Sequence, residues 1–434
     1  MKFQMFIPSY TDILQRQYSS TWEYEARRRL WSCPSLSLLT VAAMLPEDAE
    51  LSYTDLNYPA KADSCPDWVL LSPSTAQANQ AYAIADAYRA AGTQVCIGGP
   101  HATVLPDEAL RHADTVFIGE AEETLPQFLE DIKVGQHRKI YQSTGFPDLS
   151  SSPAPAYELA KQYPYKSIPL QTSRGCPHQC SFCLSSTIYG AKLRRKTAGQ
   201  VENELAKIKQ VFTKPYIFFT DDNLLISKSW NRELLSIMKN SRLSWYAFSD
   251  ARIADDDRLL TSLRDAGCTQ LLIGFESLHP ENLESLNKNH WKMHRLHTYK
   301  ETVNRIQSHG IGVVGSFVVG MDHDTPAVFD ILYDFIMETS LYATNITILT
   351  PFPGTQTYEA LRHENRLLTQ DWSKYNGFEL TFRPKKMTID ECNRGYAKLI
   401  DQLNSEKRIN KITEYFKSVF KTTSEAHNAG TDLL

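Results

Sequence analysis

Three cysteines lie close together in the chain: Cys176, Cys180 and Cys183, in the run Thr172-Ser173-Arg174-Gly175-Cys176-Pro177-His178-Gln179-Cys180-Ser181-Phe182-Cys183. The spacing is C-x3-C-x2-C. A structural zinc site takes four ligands, usually as paired C-x2-C or histidine-containing sets. Here three thiolates stand together and no second pair follows, so a zinc site would have to recruit His178 as fourth ligand. Three thiolates suit a different chemistry. They hold three irons of a 4Fe–4S cubane and leave the fourth iron open to a ligand.

Further polar groups fall where short apolar runs end. Thr220-Asp221-Asp222-Asn223, Ser249 with Arg252, and Gly274-Phe275-Glu276-Ser277 each close such a run. Asp-Asp-Asn also reads as a turn or helix cap, and Glu276 as half of a salt bridge. Gly315 to Gly320 offers backbone that a planar group can approach. Thr350 to Thr355 reads equally as a rigid proline turn. Upstream, Gly98-Gly99-Pro100-His101 and Gly119-Glu120 end two more runs.

These residues need a scaffold of alternating strands and helices. With 434 residues, 42% of them hydrophobic and 22% charged, the chain has room for two or three domains with sizeable cores. Up to Tyr141, apolar runs alternate with helical patterns over Leu36–Leu45, Trp68–Ser72, Ala78–Ala91, Val95–Gly98 and Thr115–Ile118. That order predicts a Rossmann-like parallel sheet in residues 1–141. Residues 142–165 are rich in Ser and Pro and read as a linker. Residues 166–380 repeat the alternation six times, with strands predicted at Ile168–Thr172, Tyr216–Thr220, Trp245–Ser249, Gln270–Phe275, Gly312–Val319 and Asn345–Leu349. Six βα units make a partial (β/α)6 barrel, whose site belongs at the C-terminal strand ends. Residues 381–434 form a helical C-terminal extension, with an amphipathic helix over Ser405–Lys421 and a disordered tail from Thr422.

Composition excludes some functions. A net charge of −4 provides no basic face for nucleic acid. The most apolar early run, Leu36–Leu45, is far too short to be a transmembrane segment. The N-terminus has no apolar signal core, and the scattered cysteines do not form a disulfide framework. A reducing cytoplasm is the expected compartment. Arg194-Arg195-Lys196 reads as surface charge or as a group that closes the site. His290, His294 and His297 read as a solvated helix face, and Cys268 and Cys392 as inert thiols.

The cysteine spacing, the preceding strand and the aromatic Phe182 together resemble the radical S-adenosylmethionine (SAM) superfamily signature. The resemblance implies a 4Fe–4S cluster on Cys176, Cys180 and Cys183. SAM would chelate the open iron and be cleaved to methionine and a 5′-deoxyadenosyl radical. It also implies SAM contacts from Asp222, Asn223, Ser249, Arg252, Glu276 and Gly315. The region from Pro34 to Asp131 resembles the cobalamin-binding domain of the cobalamin subgroup, through Asp55, Ser72 to Thr75, Gly98 to His101, Leu105-Pro106 and Gly119 to Glu122. Ser74, Gly98, Gly99, His101, Gly119 and Glu120 are then cobalamin-side residues. One departure is the missing Asp-x-His-x-x-Gly motif: Asp55 to Ala60 has no histidine. Arg366 to Met387 resembles an extension of the hopanoid-modifying proteins. The expected activity is methyl transfer to an unactivated carbon of a small molecule or lipid precursor, with an electron donor such as flavodoxin or ferredoxin. The alternatives are a radical cyclase, oxidase or rearrangement enzyme with a degenerate cobalamin domain, and a non-catalytic cobalamin or iron–sulfur sensor.

Overall fold

The structure is a computed structural model, and it describes residues 1–10, 32–59, 65–286 and 290–431. Among them no helix is long and apolar enough to cross a membrane. The backbone divides into two compact units. One comprises Met1–Phe218, Pro351–His363 and Thr369–Glu379; the other comprises Phe219–Thr350, Glu364–Leu368 and Leu380–Leu434.

The first sheet has six strands: β1 (Lys2–Ile7), β2 (Glu50–Asp55), β3 (Trp68–Leu71), β4 (Gln94–Ile97), β5 (Thr115–Ile118) and β6 (Ile140–Gln142). Their order is β2-β1-β3-β4-β5-β6, and every pair is parallel. Residues 3–7 of β1 and all of β3 are buried, as expected of parallel strands covered on both faces. The order reverses between β1 and β3, which makes the ends of these strands the switch point where ligands bind in such sheets. The run Leu36–Ala42 is a helix, capped by the Ser35 hydroxyl. Strands β1, β2 and β6 escape the sequence pattern: β6 has three residues, β2 is mostly polar, and Gln4 interrupts the apolar run of β1. The Ser- and Pro-rich stretch 142–165 is firmly packed: Leu149, Tyr157 and Ala160 are wholly buried. The Tyr157 hydroxyl donates to the Pro169 carbonyl at 2.9 Å.

The second sheet contains β7 (Ser167–Leu170), while β8 (Ser173–Arg174) and β9 (Arg194–Arg195) form a small antiparallel ribbon. Then follow β10 (Tyr216–Phe219), β11 (Trp245–Ser249), β12 (Cys268–Glu276), β13 (Gly312–Val319) and β14 (Ala343–Ile348). The order is β14-β13-β12-β11-β10-β7, and β11 to β14 pair in parallel. The six strands thus follow chain order, as in a partial (β/α)6 barrel. Helices start on sequence-coded caps: Thr197 and Gln200 form a capping box for Ala198–Val211, and Asp256 caps Asp257–Asp265. The C-terminal extension has two helices, Ile389–Leu403 and Glu406–Thr431. The second runs on to Thr431, and no proline interrupts it.

Candidate cofactor sites

In the first unit the three cysteines follow β7 directly. Arg174 pairs with Arg194 across the β8–β9 ribbon, so the loop that carries the thiols is closed at its base. Gly175 has φ +97°, and a Cβ there would collide with the Lys192 carbonyl oxygen. Only glycine satisfies both conditions. The Cys176 amide donates to the Gly190 carbonyl at 3.2 Å, and the Cys183 amide to that of Cys180 at 3.0 Å. The loop is braced from a distant segment. The Thr357 amide donates to Ser181 and the Thr187 hydroxyl to the carbonyl of Gly354. All three cysteines are half-buried. Among the described residues no three His, Cys, Asp or Glu side chains converge on one ion. A cubane takes its thiolates on three separate iron corners, and the three-thiolate set Cys176, Cys180 and Cys183 is the number such a cluster needs, whereas a structural zinc site takes four ligands.

The strand ends of the first sheet carry small residues. Gly99 has φ +81°, and a Cβ there would run into the Ser72 hydroxyl; Gly119 has φ +87°. Ser74 belongs to a capping box with Gln77, its hydroxyl donating to that amide at 3.0 Å. Both glycines let the backbone turn tightly as it leaves β4 and β5. Asp55 is closed off: its carboxylate accepts from the Tyr165 hydroxyl at 2.6 Å and from Asn57 at 2.7 and 2.9 Å.

His101 and Glu120 lie differently from their neighbours. His101 is fully buried, with Nδ1 3.3 Å from the Thr75 hydroxyl, Nε2 3.6 Å from Glu108, and its ring 5.5 Å from that of Trp372. Burial lowers its pKa and outweighs the opposing pull of Glu108. Its Nε2 has no hydrogen-bond partner among the described residues, and its ring packs against that of Trp372. Glu120 is 3% exposed and is bound by both Arg174 and Arg194. Within the basic run, Arg194 and Lys196 are thus drawn inward, Lys196 paired with Glu204, while Arg195 is exposed.

In the second unit, polar groups gather at the strand ends. The buried hydroxyls of Thr220 and Ser249 have no hydrogen-bond partner among the described residues, which suits a polar ligand. Asp250, which sequence reasoning missed, organises this edge. It accepts from Asn223 Nδ2 at 2.8 Å and from Arg252 Nη2 at 2.6 Å, and it caps the turn at Ala251. Its only sequence signal is its place just after a strand. The Arg252 guanidinium lies 5.4 Å from the Trp291 ring centroid. Glu276 sits at a register shift of β12 with φ +66° and is paired with Lys292, which also donates to the Gly274 carbonyl at 2.8 Å. His294 and His297 are exposed, while Lys292 is buried. At Gly315 a Cβ would meet the side-chain ends of Leu341 and Phe317 at 2.9 Å, which would have to shift to admit it.

Comparison with known proteins agrees with both halves. The Radical SAM superfamily model matches residues 170–336, and the B12 binding domain model matches residues 31–129. The bacteriochlorophyllide d C-12(1)-methyltransferase of Chlorobaculum tepidum is 30% identical, over 84% of this chain and 81% of its own length. The chain belongs to the radical SAM enzymes that carry a B12-binding domain. The hopanoid C-2 methylase of Rhodopseudomonas palustris is 28% identical over 78% of this chain and 66% of that protein. Among solved structures, the cobalamin-dependent radical enzyme OxsB with aqua-cobalamin and SAM bound aligns with a TM-score of 0.69, at 13% identity, over 96% of this chain and 70% of that one. The methyltransferase TsrM from Kitasatospora setae aligns at 0.65 and 13% identity, over 98% and 99%. Family membership makes this chain an enzyme, with a 4Fe–4S cluster, SAM and cobalamin as its cofactors.

Proposed function

We propose that the enzyme transfers a methyl group to an unactivated carbon of a small molecule or lipid precursor. The observation that carries the reading is the thiol loop, closed by Gly175 and the β8–β9 ribbon, in a chain whose first, wholly parallel sheet carries glycines directly after β4 and β5. The named relatives support the outcome, since both curated ones are methylases acting on large ring systems. Cys176, Cys180 and Cys183 hold the cluster. Thr220, Asn223, Ser249, Arg252 and Glu276, with Asp222 nearby, receive the polar groups of SAM. Ser74, Gly98, Gly99 and Gly119 border the corrinoid. When bound, these cofactors supply a substrate radical and a transferable methyl group; the protein's part is to orient them and exclude water. A cytoplasmic reductant of the flavodoxin or ferredoxin class delivers the electron.

The test is an anaerobic reaction of the reconstituted enzyme with methyl-deuterated SAM and candidate ring-system substrates. The expected result is 5′-deoxyadenosine plus a product carrying the labelled methyl, both abolished in Cys180→Ala. Deoxyadenosine formation with no label in the product would reject methyl transfer, and retained SAM cleavage in Cys180→Ala would reject the cluster site.

A further inference from the structure

Glu120, just after β5, and Glu122, in the first turn of the helix Ala121–Lys133, have almost completely buried side chains. Glu120 is 3% and Glu122 5% exposed, and they face Arg174 and Arg194 at 11% and 12%. Arg194 grips Glu120 with both terminal nitrogens, Nη2 to Oε1 at 2.5 Å and Nη1 to Oε2 at 3.1 Å. Arg174 Nη1 binds the same Oε2, and its Nη2 binds Glu122 at 2.8 Å. Glu122 also accepts from the Ser152 hydroxyl at 2.9 Å. The guanidiniums are held from behind. Arg174 Nε donates to Gln171 at 2.8 Å, while Arg194 donates to the carbonyls of Pro147 and Tyr189 and lies 5.0 Å from the Phe146 ring centroid.

Both oxygens of Glu120 are therefore engaged, and to free either one would strip a buried guanidinium of its counter-charge. Glu120 is thus poorly suited to bind a corrinoid, the role its position after β5 suggests. Its partners point elsewhere. Arg174 stands two residues before Cys176, and Arg194 is its cross-strand neighbour in the ribbon that closes the thiol loop. Gly119, next to Glu120 at the end of β5, donates its amide to the Thr103 hydroxyl on the short helix Gly99–Val104 that follows β4 of the B12-binding sheet. One short loop thus belongs to the corrinoid-type sheet through its backbone and to the cluster loop through its carboxylates.

We infer that Glu120 is a positioning residue of the iron–sulfur loop, and that the loop Gly119–Glu122 couples corrinoid binding to the geometry of the cluster. The inference rests on the cofactor assignments proposed above. Partners one shell out from a metal site set ligand geometry, and their loss changes metal affinity or activity about 10–100-fold.

The experiment uses full-length protein reconstituted with iron, sulfide and hydroxocobalamin. It compares wild type with Glu120→Gln by gel-filtration spectra, the electron paramagnetic resonance signal of the reduced cluster with SAM, and the rate at which an iron chelator bleaches the cluster. Glu120→Gln is expected to retain hydroxocobalamin at wild-type stoichiometry. Its cluster should bleach about ten-fold faster and show an altered resonance signal. Bound hydroxocobalamin should slow bleaching in wild type and not in the variant. Loss of hydroxocobalamin with an unchanged cluster would overturn the inference in favour of a corrinoid role, and wild-type behaviour in every readout would overturn it outright. If Glu120→Gln yields no folded protein, Arg194→Gln removes the same pair from the ribbon side, and an unperturbed cluster there overturns the inference. Wild-type protein that binds neither iron nor hydroxocobalamin would defeat the proposed function itself, a result distinct from a normal wild type with a silent variant.

Discussion

Glu276 shows how a single residue acquires its meaning from a partner far along the chain. Its strand-end position marks it as a group for SAM, and in the fold it neutralises Lys292, whose side chain is only 7% exposed. Removing a buried ion's partner is far costlier than removing the pair. Glu276→Ala should therefore weaken SAM binding and also lower stability by about 3 kcal/mol, leaving iron content intact. Glu276→Ala combined with Lys292→Met should recover most of the stability and none of the SAM affinity. Thermal unfolding and SAM titration of the two variants check this, and equal melting temperatures for them would reject the pairing argument. The cysteines differ in kind. Their role was legible because cluster ligands come from one short loop, whereas Lys292 and Asp250 act through contacts that spacing does not reveal.

At the scale of elements, the turn after β13 carries a pH-dependent group. Asp324 accepts from the amides of Gly320 and Met321 at 2.9 and 3.0 Å and from Asn282 at 2.6 Å. Burial nevertheless pushes its carboxyl up from 3.8 to about 6, against the downward pull of those hydrogen bonds and of His323. The folded protein thus holds this proton more tightly than the unfolded chain. The stability it contributes is fully present below about pH 4 and is lost as pH rises towards 6. The whole effect is up to about 3 kcal/mol. Urea unfolding at pH 4 and pH 7 should show this loss in wild type relative to Asp324→Asn; parallel pH profiles would exclude it. The strands around the turn were foreseeable as apolar runs. The register shift at Gly274–Glu276 was not, because it depends on pairing with β13.

At the scale of the molecule, the segment Thr369–Glu379 returns to the first unit. Trp372 is 6% exposed; its indole nitrogen donates to Glu108 at 2.6 Å, and Asp371 accepts from Asn79 at 2.8 Å. Trp372→Ala removes a large buried ring and should cost about 3–5 kcal/mol. It would also strip Glu108 of its indole donor beside His101. A calorimetric melt would show the loss, and an unchanged transition would mean that the segment is a passive appendage. Gly354 ties another returning piece to the same unit, since a Cβ there would lie 2.7 Å from Val104.

By itself the sequence determined the chemistry and the class of scaffold. Thiol spacing is local, and strand–helix alternation follows from which short segments can bury an apolar face; both can be read without knowing the pairing. Tertiary structure decided which charged groups are available. Glu120, His101 and Glu276 all end strands or sit near strand ends, and all three are engaged by residues distant in sequence: Arg194, Trp372 and Lys292. Buried charges and polar groups need partners, and it is the packed fold that chooses them.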